Sequence, residues 1–200
     1  MSGVIVPSAV YPVRLDIDYP DRPLNRVTSA FRVILALPML VLLSLLTWGQ
    51  SSGLLTLPVG LMLVFRRKYP RWWFDWHVQL QRFETRVCAY ALLLDDQYPS
   101  TDEEQSVHLE IDYPDAARDL NRWLPLVKWF LAIPHFVILI VLFVGVLGAS
   151  IAAWFAILFT GRYPRSLFNY VVGVMRWESR VTGYAFTLVT DQYPPFTLKP

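Results

Sequence analysis

Trp129–Gly161 reads WFLAIPHFVILIVLFVGVLGASIAAWFAILFTG, 33 residues without one Asp, Glu, Lys or Arg. Residues 33–65 form a second block of the same kind, in a chain where charged residues make up 17%. Blocks of this length exceed any core strand and reach the range of membrane-crossing helices. A single helix of that length would run about 50 Å, well beyond a hydrocarbon core of about 30 Å. Each block is therefore predicted to fold back on itself. The first has a break at Trp48-Gly49-Gln50-Ser51-Ser52-Gly53, the second near Gly145–Ser150, which contains Gly148. Helices are expected near 26–48, 54–67, 122–144 and 149–161, about four transmembrane helices in two hairpins, about 26–67 and 122–161. Pro58 lies inside the short second helix of the first hairpin, so a hairpin that enters the bilayer and returns without crossing is the alternative.

Every Lys and Arg lies outside the two blocks. The positive-inside rule then places both termini and all polar segments in the cytoplasm. With no basic stretch ahead of the first apolar run, no cleavable signal peptide is expected. Cys88 is the sole cysteine, which excludes an intrachain disulfide and a thiolate metal cluster. A formal net charge of +2 gives no reason to expect nucleic acid.

The chain also repeats itself. Ile17-Asp18-Tyr19-Pro20 recurs as Ile111-Asp112-Tyr113-Pro114, Leu24-Asn25-Arg26 as Leu120-Asn121-Arg122, and Tyr69-Pro70-Arg71 as Tyr163-Pro164-Arg165. Arg82-Phe83-Glu84-Thr85-Arg86 answers Arg176-Trp177-Glu178-Ser179-Arg180, and Asp96-Gln97-Tyr98-Pro99 answers Asp191-Gln192-Tyr193-Pro194. The offset stays between 94 and 96. Two tandem repeats are predicted, 11–99 and 107–195, joined by an acidic linker at 100–106 and flanked by tails at 1–10 and 196–200. A fixed offset is the mark of a repeated structural unit.

Within each repeat, Val13–Tyr19 and Val107–Tyr113 alternate apolar and charged residues, the period of a half-buried strand. The apolar runs Val87–Leu94 and Val181–Val189 are read as closing strands, pairing with the first strand of the same repeat. Between hairpin and closing strand, Trp72, Trp73, Trp76, Leu80 and Phe83, with Leu167, Tyr170, Val171, Val174 and Trp177 in the second repeat, follow helical spacing. Such a helix lies on the inner leaflet or packs under the sheet. The expected fold is an α+β membrane protein: each repeat a strand, a transmembrane helical hairpin, an interfacial amphipathic helix and a strand, over a small cytoplasmic β-sheet of about four strands.

The run Leu124–Phe196, with Leu131-Ala132-Ile133-Pro134-His135, Trp154–Arg165 and Asp191-Gln192-Tyr193-Pro194-Pro195-Phe196, resembles the bacterial membrane-protein family known as domain of unknown function 4389. The resemblance covers nearly the whole chain as two copies. The first copy departs from it, with Met39 where the second has His135 and Arg67 where the second has Gly161. It implies a location in the bacterial inner membrane and supplies no activity and no catalytic residues.

Three sets of residues stand out as candidates. His135 is the one ionisable residue predicted inside the membrane, which makes it either a proton carrier or haem ligand or a structural histidine beside Pro134. Arg26, Arg32, Arg122 and Lys128 sit where the chain enters the bilayer and are candidates for an anionic lipid head-group site, or for ordinary snorkelling. Arg82, Glu84 and Arg86, repeated as Arg176, Glu178 and Arg180, are predicted to form an ion-pair or conformational network with Asp18 and Asp112. There is no hydrolase elbow, phosphate-binding glycine loop or zinc pattern. No cofactor or metal is implied, and the reading points away from an enzyme. A noncatalytic scaffold or accessory subunit is expected, with membrane lipids and a membrane-protein partner or homo-oligomer as partners. A transport or lipid-handling protein is the alternative.

Overall fold

A computed structural model describes residues 11–51, 56–101, 103 and 105–200. Strand β1 (Val13–Ile17) is followed by helices α1 (Arg26–Ala30), α2 (Arg32–Ser51), α3 (Thr56–Arg66) and α4 (Arg71–Ala91). Strand β2 (Val107–Ile111), a short 3-10 turn at Leu124–Leu126, α5 (Lys128–Thr160) and α6 (Arg165–Ala185) complete the order. Of the predicted Trp48–Gly53 break, Trp48–Ser51 are instead the last residues of α2, and Ser52 and Gly53 lie outside the described residues.

The alternating stretches do form strands. Val13, Leu15 and Ile17 point inward with Val107 and Leu109, while Asp16, His108 and Glu110 face out. Their pairing differs from expectation. β1 and β2 pair with each other, antiparallel, with Leu15 opposite Leu109. The two halves of the chain therefore share one sheet, and the expected four strands are corrected to two among the described residues. β1 rests on α6 of the second repeat and β2 on α4 of the first, α2 packs on α4, and α5 packs on α6. The inner sheet face, Phe74, Val78, Phe168, Val171 and Trp177 belong to one core.

The expected closing strands are helix ends. Val87–Ala91 completes α4 and Val181–Ala185 completes α6. A buried helix bounded on two sides by protein reads as a continuous apolar run, and periodicity alone does not separate it from a buried strand. Both helices finish alike: Leu93 and Leu188 take positive φ of 67° and 56°. Leu94 N–H donates to the Ala89 carbonyl and Val189 N–H to the Gly183 carbonyl. Pro70 and Pro164, each directly after a tyrosine, cap the starts of α4 and α6. These two helices pack under the sheet and are not laid free on a membrane surface, although Trp72 and Trp76 remain exposed.

The second predicted hairpin does not exist. α5 is one continuous 33-residue helix through Gly145 and Gly148. Isolated glycines cost a helix only about 1 kcal/mol each, and Gly145 serves packing: a Cβ there would overlap the Tyr170 hydroxyl. That hydroxyl donates to the Leu142 carbonyl at 2.9 Å. Among the described residues α5 is the one helix long and apolar enough to cross a membrane, while Arg32–Thr47 and Thr56–Arg66 are apolar but shorter. About four transmembrane helices are thus corrected to one candidate.

α5 buries a narrow stripe, Ala132, His135, Leu139, Val146, Ala149, Ala153 and Ile157, at helical spacing along its whole length. Both of its ends are tied to the body. Lys128 Nζ donates to the Thr190 carbonyl at 2.8 Å. At the far end Leu24 N–H donates to the Gly161 carbonyl at 2.8 Å and Trp154 Nε1 to the Ser29 carbonyl at 3.0 Å. The helix runs along the body, and its other faces, with Phe130, Ile140, Val144, Leu147 and Phe159, are exposed and apolar. α2 repeats the scheme, burying Arg32, Ala36 and Leu43 and exposing Val33, Ile34, Val41 and Leu45.

Gly145→Ala should destabilise the protein by about 1–3 kcal/mol, the usual cost of overpacking. Gly148→Ala, where an added Cβ meets nothing within 4 Å, should be neutral or stabilise by roughly 0.5–1 kcal/mol. Thermal unfolding of the detergent-solubilised variants measures both.

Candidate functional site

Between α4 and α6 lies a cavity of about 150 Å³, lined on α4 by Gln81, Glu84, Thr85 and Cys88, followed by Leu92, and closed by Phe143 of α5 and by Met175 and Glu178 of α6. Glu84 and Glu178, which stand in the matching stretches Arg82–Arg86 and Arg176–Arg180, share this one space. Each is half-buried. Burial pushes Glu84 up to about 7, and the nearby Glu178 charge adds to it. Glu178 is also raised by burial, opposed by the Thr182 hydroxyl, which donates to its Oε1 at 2.9 Å. The Cys88 thiol is pushed up to about 12, by burial first and then by the two glutamates. A thiol so held is a poor nucleophile near neutral pH.

The repeated arginines do not neutralise this pair. Arg82 Nε donates to the Leu109 carbonyl at 3.0 Å, and Arg176 Nε to the Leu15 carbonyl at 2.8 Å. Arg86 reaches the Ser100 carbonyl at 2.7 Å, and Arg180 the Lys199 carbonyl at 2.8 Å. The predicted network of these residues with Asp18 and Asp112 is therefore not assembled: Asp18 meets His108 at 3.0 Å and Asp112 meets Arg14 at 2.8 Å, both on the outer sheet face. Asp16, which was not singled out, is the carboxylate that Arg176 reaches, at 3.0 Å. A strand carbonyl beside a helix arginine leaves no signal in sequence spacing, because the partner lies in the other repeat.

The four membrane-entry cations do not share a pocket either. Arg32 is buried against Asp96 and over the Tyr90 ring, and Lys128 is buried 2.8 Å from Asp191 and over the Tyr184 ring. Arg122 donates to the Val64 carbonyl at 2.5 Å and Arg26 lies beside Gly161. Asp96 and Asp191 also accept the N–H of Asn25 and Asn121, so each aspartate fixes the chain just before a long apolar helix. The signal for these partners was present: the aspartates repeat at an offset of 95 and the cations at 96.

His135 is fully buried. Its Nδ1 accepts from Trp177 Nε1 at 3.1 Å, and its ring stacks on Phe196 at 4.1 Å between centroids, with Tyr193 at 4.8 Å. The side chain fills an aromatic box, and among the described residues its buried Nε2 has no hydrogen-bond partner. His77 was passed over. Burial lowers it to about 4, so it is neutral at physiological pH among Trp73 and Trp76. Among the described residues no group of three or more His, Cys, Asp or Glu is placed to hold a metal ion.

The contacts around the sheet come in equivalent pairs. Tyr19 Oη donates to the Tyr163 carbonyl at 2.6 Å, and Tyr113 Oη to the Tyr69 carbonyl at 2.5 Å. Arg165 sits over the Tyr19 ring and Arg71 over the Tyr113 ring, each at 4.6 Å. Residues 122–197 match the family described as "Domain of unknown function (DUF4389)". The matched stretch holds α5, α6 and the Asp191-Gln192-Tyr193-Pro194 loop, and the match takes in one copy of the unit. No curated protein and no solved structure matches the chain.

A carboxyl group raised on folding holds more protons in the native state than in the unfolded chain, so native stability is lost as pH rises from about 4.5 toward about 7. The Glu84→Gln/Glu178→Gln variant should lack that part of the decline. Melting temperatures of both proteins across this pH range test it; parallel curves would show that the pair does not titrate in the window.

Proposed function

We propose that this chain is a noncatalytic membrane module, a scaffold or accessory subunit, seated in the inner leaflet of the bacterial inner membrane. The outer faces of α2, α3 and α5 lie among acyl chains, and the charged face of the sheet and both termini lie toward the cytoplasm. The supporting observation is the burial pattern of α5. A helix with one thin stripe against protein and every other face apolar and exposed leaves far more apolar surface open than a soluble monomer carries. The same chain turns Asp16, His108 and Glu110 outward on its sheet. Association with a membrane follows from the length and composition of α5.

Two copies of one unit are the second part of the proposal. The paired tyrosine bonds, the paired arginine-to-strand bonds and the paired Asp clamps support a duplicated unit whose first strands have been exchanged. The absence of a transport route in this reading rests on His135, which is enclosed by aromatic rings. Membrane lipids are the immediate partners, and a membrane protein or a second copy of the chain docks on the polar sheet side or beside α2.

Single cysteines placed at Val33, Val144 and Glu110 in a Cys88→Ser background and labelled with an environment-sensitive dye give the test. In vesicles, brominated acyl chains should quench the dye at Val33 and Val144 and leave Glu110 bright; equal quenching at all three would remove the proposed seating. The duplication has its own check. Tyr19→Phe and Tyr113→Phe should each cost about 0.5–1.5 kcal/mol, a typical hydrogen-bond loss. Two separate sites should add nearly fully in the double variant.

A further inference from the structure

The interior cavity between α4 and α6 presents an unbalanced set of groups. Two carboxylates of like charge, Glu84 and Glu178, line it together with the amide of Gln81. Among the described residues no arginine or lysine lines it, and the four arginines nearest in sequence donate to backbone carbonyls elsewhere. Gln81 supplies an independent observation. Its side chain is 3% exposed, and its Oε1 has no hydrogen-bond partner. A buried amide oxygen without a donor costs about 1–3 kcal/mol, and like charges sharing a low-dielectric space repel. Both deficits have one remedy, a ligand that carries positive charge and N–H donors.

The remaining walls narrow the chemistry. Leu92, Phe143 and Met175 make the rest of the lining mostly apolar. A bare metal ion finds few ligands here, since calcium and magnesium require about six or more oxygens or several retained waters. A short alkyl chain ending in an ammonium group matches both the acceptor end and the apolar end. A volume of about 150 Å³ suits a molecule no larger than benzene.

We propose that this cavity binds a small primary ammonium ion, with its N–H groups donating to Glu84, Glu178 and the Gln81 amide oxygen and its alkyl part lying against Leu92, Phe143 and Met175. The site is separate from the membrane-seating surface and does not depend on the proposed scaffold role. Phe143 is the wall shared with the exposed face of α5, so the ammonium group comes either from a free amine or from an ethanolamine lipid head group.

Isothermal titration of the detergent-solubilised full chain with ethylammonium chloride tests the proposal, with tetraethylammonium chloride and sodium chloride as controls for a cation without N–H donors and for ionic strength. Saturable binding of ethylammonium alone is expected. Gln81→Leu should weaken it by about tenfold, the effect of one good hydrogen bond, and Glu84→Gln/Glu178→Gln should abolish it. If the double variant does not fold, Gln81→Leu and Met175→Phe, which fills the apolar end, serve in its place. No saturable heat, equal response to sodium, or binding unchanged by Gln81→Leu would overturn the proposal and leave the cavity as a hydrated pair sharing a proton. Repeating the titration in nanodiscs with and without phosphatidylethanolamine separates the sources: competition by the lipid identifies the head group, and no competition identifies the free amine.

Discussion

The antiparallel pairing of β1 with β2 about Leu15 and Leu109 is the constraint on which the rest of the molecule depends. Two five-residue strands make a sheet too small to stand alone in water, so both must be covered at once. Each is covered by the helix of the opposite repeat, β1 by α6 and β2 by α4. Arg176 and Arg82 then reach across to strand carbonyls at Leu15 and Leu109. Those bonds satisfy acceptors that a broader sheet would satisfy with a neighbouring strand. Neither half of the chain closes a core of its own, and residues of both halves share one.

Burying a cation at the root of each long apolar helix is the second device. Asp96 holds Arg32 and the Asn25 N–H, and Asp191 holds Lys128 and the Asn121 N–H. Loss of one partner from such a pair costs about 3–5 kcal/mol, because the other charge stays buried. The ring of Tyr90 or Tyr184 beneath each cation adds a further attraction. The orientation of α2 and α5 is thus fixed at one end by an ion pair and along the length by a stripe one residue wide. That stripe leaves the apolar remainder facing outward.

Some of this was legible in the residues alone. Alternation located β1 and β2 within a residue or two. The repeat offset identified every residue of the Asp clamps, though not their pairing. Three features resisted. Glycines at 145 and 148 carry the same local signal whether they turn a chain or admit a tyrosine, and only the position of Tyr170 decides between them. The apolar ends of α4 and α6 mimic strands because they are covered on more than one side. The direction of Arg82, Arg86, Arg176 and Arg180 depends on strands contributed by the other half of the chain or on loop carbonyls far from the helix. The sequence pointed to Asp18 and Asp112 as their carboxylates.

On the proposed duplication, a pseudo-twofold axis would bring the glutamates together instead. A residue near such an axis faces its own equivalent, so any charge placed there in a duplicated unit confronts a like charge. In a homodimer the surroundings of the two would be identical. A single chain carrying both copies is free to differ, and it differs around this pair: Gln81 answers Met175 and Cys88 answers Thr182 across the 94-residue offset. One glutamate receives a hydroxyl donor from Thr182, while the other faces a thiol and lies on the same helix as an unpartnered amide. Whatever brought the two carboxylates together, the unlike residues around them, Gln81 against Met175 and Cys88 against Thr182, give the cavity an acceptor-rich side and an apolar side.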